Sequence, residues 1–167
     1  MKKTTLCYIE NKGAYLMLYR NRKPEDPNEG KWLGIGGKIE PGESADECNC
    51  REVLEETGLK LRSAVFHGVI EFRADSYEDE DMYLYSSSDF EPADEEAARV
   101  FAESGIYEPP VCSEGELAWI PSGELMDLPM WQGDREFLKE LLGGAKEISM
   151  TLSYTGEDCT VVRREVR

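Results

Sequence analysis

The chain has 167 residues, 40% of them apolar, enough to bury the core of one domain spanning 1–167. A formal charge of −16 disfavours long nucleic acids as partners, since these are bound by neutralising phosphates with Lys and Arg. Five cysteines without a regular pairing pattern argue against a disulfide framework, no run is apolar enough for a signal peptide or a membrane span, and the expected setting is the cytoplasm.

In chain order, "TTLCYIE" (4–10) and "AYLMLYR" (14–20) read as strands joined by a hairpin at Asn11-Lys12-Gly13. The prolines and glycine of "NRKPEDPNEGKWLG" (21–34) mark a loop, and the glycine-rich segment after it leads into a helix that stops at Gly58. "LRSAVFHGVIEFRA" (61–74) and "DMYLYSSSDF" (81–90) follow as strands, with His67, the only histidine, in a packing or surface role. The acidic runs "YEDEDM" (77–82) and "EPADEE" (91–96) read as solvated loops, and "EEAARVFAES" (95–104) can form an extra helix. "GELAWIP" (115–121) is another strand and "DREFLKELL" (134–142) is helical by period. "KEISMTLSY" (146–154) and "CTVVRREV" (159–166) close a last hairpin whose basic end is a solvated strand end. The fold class is α+β.

The helix after the glycine-rich loop carries the chemistry. At roughly 100° per residue, Glu52, Glu55 and Glu56 share a face, so their charges repel unless a cation sits among them. Cys50, Val53, Leu54 and Thr57 point the other way, which predicts a packed face opposite acids that stay at the surface. Carboxylates without histidine or clustered thiolate suit a hard ion, Mg²⁺ or Mn²⁺, and Mg²⁺ is commonly shared with substrate phosphates. An exposed helix with Arg51–Glu55 ion pairs is the plainer reading of such a run.

The flanking residues decide between the two. "GKIEPGESADECNCREVLEETGL", Gly37–Leu59, matches the signature of the Nudix hydrolases without a mismatch, and the chain therefore resembles that family. The resemblance implies an α/β/α sandwich with a mixed central sheet, and hydrolysis of a nucleoside diphosphate linked to another group. It also implies a divalent metal held by Glu52, Glu55, Glu56 and the Gly37 carbonyl, with Glu55 or Glu56 as base. A further acid from outside the helix often takes part in this family. Glu114 is the best match for it and Glu116 the fallback. Arg51 would orient the acids, Glu43 would cap or brace the loop, and Lys23 and Lys38 are candidates for phosphate contact.

"GKWLGIGGK", "AWIP" and "MWQGD" narrow the resemblance to MutT-type members that hydrolyse oxidised purine nucleoside triphosphates such as 8-oxo-dGTP. By that motif, Trp131 would stack on the base and Asp134 would hydrogen-bond its edge. This sequence departs from the pattern at Leu33, where the relatives have an asparagine, and at Gly133, where they have a second aspartate. The alternatives are a Nudix enzyme for a nucleotide sugar, a dinucleoside polyphosphate or an ordinary nucleotide, and a nucleotide-sensing domain without turnover. The intact glutamate set argues against the last.

Overall fold

The computed structural model describes residues 1–167. Alternation in the first two strands serves both faces of one sheet. In β1 (Lys2–Asn11), Leu6 and Tyr8 enter one core while Cys7 and Ile9 enter the other. In β2 (Ala14–Arg20), Met17 joins the first core and Leu16 and Leu18 the second. A strand apolar on both sides belongs in the middle of a sheet covered on both faces.

That sheet contains β3 (Trp32–Leu33), β4 (Leu59–Ala74), β5 (Glu80–Pro92), β6 (Gly115–Pro121), β7 (Ile148–Thr155) and β8 (Asp158–Val166) besides the first pair. Its order is β3-β2-β1-β5-β4-β7-β8, with β6 also paired to β2. Pairing is parallel for β1–β5 and β4–β7 and antiparallel elsewhere, so the sheet is mixed. Helix α3 (Gln132–Leu142) covers the first core with Phe137 and Leu138. Helices α1 (Ala45–Thr57) and α2 (Glu95–Ser104) cover the second through Val53 and Phe101. The result is the expected α/β/α sandwich.

Phe137 is fully buried between Tyr8 and Phe72. Phe137→Ala is expected to cost about 3–5 kcal/mol, the usual penalty for emptying an aromatic site in a core, read as a lowered thermal melting point with turnover retained in the folded fraction.

Two sequence expectations need correction. The run 77–82 is not a free loop, because Glu80, Asp81 and Met82 open β5 in register with Lys2, Lys3 and Thr4 of β1. The run 91–96 likewise ends β5 and, after the Asp94 cap, begins α2. His67 does pack: its ring nitrogens lie 2.9 Å from the Lys146 carbonyl and 2.6 Å from the Ser86 hydroxyl.

Candidate active site

The glycine-rich loop lies hard against β1. A Cβ on Gly36 would run into the Thr5 carbonyl, and one on Gly37 into the Glu52 carboxylate. Only glycine permits that approach, which sets the loop backbone directly beside an acid of α1. The Gly37 carbonyl accepts from the Thr5 N–H at 2.9 Å and, more weakly, from the Cys48 thiol at 3.8 Å. Helix α1 then starts at a capping box, Ser44 accepting from the Glu47 N–H while Glu47 accepts from that of Ser44. It ends at Gly58 in the left-handed conformation.

The helix is rotated from the expected setting. Its buried residues are Cys48, Asn49, Val53 and Thr57, whereas Cys50 and Leu54 are exposed. The packed stripe therefore runs along the i, i+4 row 45, 49, 53, 57 and draws Glu52 and Glu56 to its border. Glu55 stays outside. Glu56 corrects the expectation that all three acids remain at the surface: its Oε2 is buried without a hydrogen-bond partner. Burial first, then the charges of Glu114 and Glu52, push its carboxyl up to about 8. Glu52 is also raised, chiefly by burial, against the opposing pull of Arg51.

Arg51 ties the loop to the helix. Its guanidinium donates to Glu43 at 2.6 and 2.9 Å, to Glu52 at 2.9 Å and to Glu55 at 3.2 Å. Its hydrogen bond holds the Glu43 carboxyl down to about 2, and Glu43 in turn accepts from the Glu40 N–H. Glu43 thus braces the loop, while Ser44 is the cap.

Glu114, just ahead of β6, is the outside acid that couples to Glu52 and Glu56. Glu116 is exposed on β6. Glu114 is held by Arg20 at 3.2 Å and Lys23 at 3.0 Å, and Arg20 is fixed in turn by Asp26 at 2.8 Å. As they stand, no three of these side chains are gathered closely enough to grip an ion, because Arg51 draws Glu52 and Glu55 one way while Arg20 and Lys23 draw Glu114 another.

A cavity of about 350 Å³ opens beside the glycine-rich loop, and none of Glu52, Glu55, Glu56 and Glu114 lines it. Arg20, Gly36, Gly37 and Lys38 line it together with Leu33, Trp131, Asp134 and Glu80. The Trp131 indole donates to Asn28 at 2.8 Å, and Lys31 sits 4.2 Å from its ring centroid. Trp131 lines the cavity and Lys31 does not, so the cation covers the outer side of the indole. Asp134 is not a helix cap. It lies in the first turn of α3, 6% exposed, its carboxyl making no hydrogen bond within the protein. Burial, then the neighbouring charge of Glu80, raises that carboxyl to about 7.

The NUDIX domain profile matches residues 2–141. The chain belongs to the Nudix family. It is 28% identical to the Nudix hydrolase YvcI of Bacillus subtilis over 94% of this chain and 89% of that one. To the oxidized purine nucleoside triphosphate hydrolase of Danio rerio it is 34% identical, over 47% of this chain and 58% of that one. A MutT protein from Bacillus halodurans has the same fold, with a TM-score of 0.77 at 24% identity over 99% of this chain and 97% of that one. The protein is accordingly a Nudix hydrolase with a MutT-like fold. Such hydrolases use divalent metal ions and act on small nucleotide substrates. No helix is long and apolar enough to cross a membrane.

The Nudix acids of this chain fit a divalent cation. A buried, unpartnered Glu56 oxygen facing two further carboxylates lacks positive charge, and oxygen ligands alone suit a hard ion. Lys38 lines the cavity, but Lys23 does not: it pairs with Glu114. The polar cavity residues that sequence reasoning missed include Arg20, Asn28 and Glu80. The one signal for Arg20 was a charge at the end of an otherwise apolar strand.

Proposed function

We propose that this Nudix hydrolase cleaves oxidised purine nucleoside triphosphates, 8-oxo-dGTP in type, to the monophosphate and pyrophosphate, and that residues 1–167 act as one domain. The observation that carries the reading is the continuous cavity. Its lining combines an indole for stacking and a buried carboxyl with the Nudix loop and Arg20, which pairs with Glu114.

Mg²⁺, or Mn²⁺ in its place, held by Glu52, Glu56 and Glu114 with Glu55 and the Gly37 carbonyl at the edge, would neutralise phosphate charge and lower the pKa of an attacking water. Glu56, whose Oε2 is buried without a partner, would accept the proton of that water once the ion favours its ionised form. A new P–O bond forms to the water oxygen as the bridging P–O bond breaks, and pyrophosphate leaves. Arg51 keeps Glu52 and Glu55 oriented. Arg20 and Lys38 face the phosphates along the cavity, while Lys23 acts through Glu114.

In the same cavity Trp131 stacks on the base, Leu33 packs against it, and Asp134 reads its edge. Oxidation at C8 turns guanine N7 from an acceptor into an N–H donor next to the O6 acceptor. A neutral carboxyl offers one acceptor and one donor, which complements that pair. Unoxidised guanine presents two acceptors there and leaves one of them facing a carbonyl oxygen.

Early products in H₂¹⁸O test the reaction. Monophosphate and pyrophosphate are expected, with label in one of them; orthophosphate as the first product would mean a different bond is cut. A panel of nucleotides ranked by kcat/KM tests the base, and a preference for pyrimidines would remove the reading.

A further inference from the structure

We infer that Glu80, at the start of β5, is a second reader of the base, acting with Asp134 to select purines that carry guanine's adjacent N–H donors. This rests on the proposed nucleotide reading and names the base edge within it.

Glu80 lines the same cavity as Trp131 and Asp134. Parallel pairing of β5 with β1 sets it opposite Lys2, and both side chains near it are donors. The Thr4 hydroxyl donates to Oε2 at 2.5 Å, and the Lys2 ammonium lies 3.4 Å from Oε1. Held this way by two donors, Glu80 keeps acceptor lone pairs on both oxygens beside the cavity it lines. Its charge is the second cause, after burial, of the raised Asp134 carboxyl, which marks the two groups as close neighbours. Asp134 supplies an independent sign that a ligand belongs here, being buried, unpartnered and part of the cavity lining.

Sterics explain why the second acid comes from a strand. Next to Asp134 on α3 stands Gly133, whose N–H donates to the Tyr154 hydroxyl at 2.7 Å. A Cβ there would meet that hydroxyl at 2.5 Å and Leu152 at 2.9 Å, both parts of the packed sheet. A side chain at 133 would have to displace both, whereas β5 brings the Glu80 carboxyl into the cavity lining.

The chemistry fixes the base class. N1–H and the 2-amino group of guanine lie side by side, and one carboxylate accepts from both. Adenine and cytosine place a bare ring nitrogen beside their amino group, and thymine flanks its N–H with carbonyls. Only a guanine-type edge satisfies Glu80 fully, with the neighbouring O6/N7 edge left to Asp134.

The test uses the whole protein with Mg²⁺ and compares 8-oxo-dGTP, its analogue without the 2-amino group, and dCTP. Glu80→Gln keeps an oxygen for Thr4 but sets an amide hydrogen against the base donors. It is expected to lower kcat/KM for 8-oxo-dGTP about 10- to 100-fold, chiefly through KM, with a smaller loss for the analogue and less than twofold for dCTP. Glu80→Ala should give the same ranking, with thermal melting confirming that both variants are folded. An unchanged ratio of 8-oxo-dGTP to dCTP in folded variants would mean that Glu80 merely pins β5 to β1, and the inference falls while the nucleotide reading stands. Equal use of 8-oxo-dGTP and dCTP by the unaltered enzyme overturns that reading and this inference together.

Discussion

Glu56→Gln is expected to lower turnover about 10²–10⁴-fold, the usual range for loss of a positioned general base, and to raise the melting temperature of the metal-free protein. The two effects share one cause. Burial and the charges of Glu114 and Glu52 all disfavour ionised Glu56, so a neutral amide relieves the fold while removing the proton acceptor. Added Mg²⁺ stabilises the unaltered protein by mass action, because the ion binds only where the acids are assembled, and should stabilise the variant much less. Melting curves with and without metal thus report on the site independently of catalysis. Glu55→Gln is the contrast, since Glu55 is exposed and paired with Arg51: its melting temperature should move little. A Glu56 variant with near-normal turnover would remove it from the chemistry.

How far the sequence led differs between fold and site for physical reasons. The hairpins and the helix stops were legible because each depends on local signals, such as alternation in β1 and β2, a glycine after Thr57 and apolar periodicity in α3, whereas the mixed sheet came only with the family resemblance. The setting of α1 was not legible in full. Cys50 and Leu54 had the right spacing to be buried, yet spacing defines faces without saying which one meets the sheet, and in a helix this polar the choice is made by Val53 and Asn49 against β1. Glu80 was missed for a related reason. Within "YEDEDM" it has the composition of a solvated loop, and only the long-range pairing of β5 with β1 turns that residue towards the cavity. The Nudix acids were found because a fixed local pattern carries them. Arg20, Asn28 and Glu80 reach the cavity from segments distant in sequence.

Asp134 yields the second large expected effect, on selectivity and on pH together. Asp134→Ala should lower kcat/KM for 8-oxo-dGTP by about 1–3 kcal/mol, the cost of leaving buried polar groups unpaired, with little change for dCTP. Asp134→Asn should keep most of the selectivity, because an amide, like a neutral acid, offers one donor and one acceptor. The raised carboxyl fixes the sign of the pH dependence. The groups bearing on it are Glu80, which raises it, and Arg135, which opposes; Tyr8 and Tyr154 beside it stay neutral well above the physiological range. With a folded value of about 7 against the ordinary 3.8, the folded protein holds a proton that the unfolded chain has released. The contribution of Asp134 to stability is therefore full below about pH 4, falls by a few kcal/mol as pH rises towards 7, and levels off above it. Asp134→Asn should remove this share of the fall and leave the part due to Glu56, seen as a melting temperature that declines less across this window. In activity, the ratio of kcat/KM for 8-oxo-dGTP to that for dCTP should drop between pH 6 and 8 as Asp134 loses the hydrogen it donates to O6. The ratio cancels metal and phosphate chemistry common to both substrates. In the Asn variant it should stay flat, and the same drop there would assign the titration to another group and leave Asp134 a structural role alone.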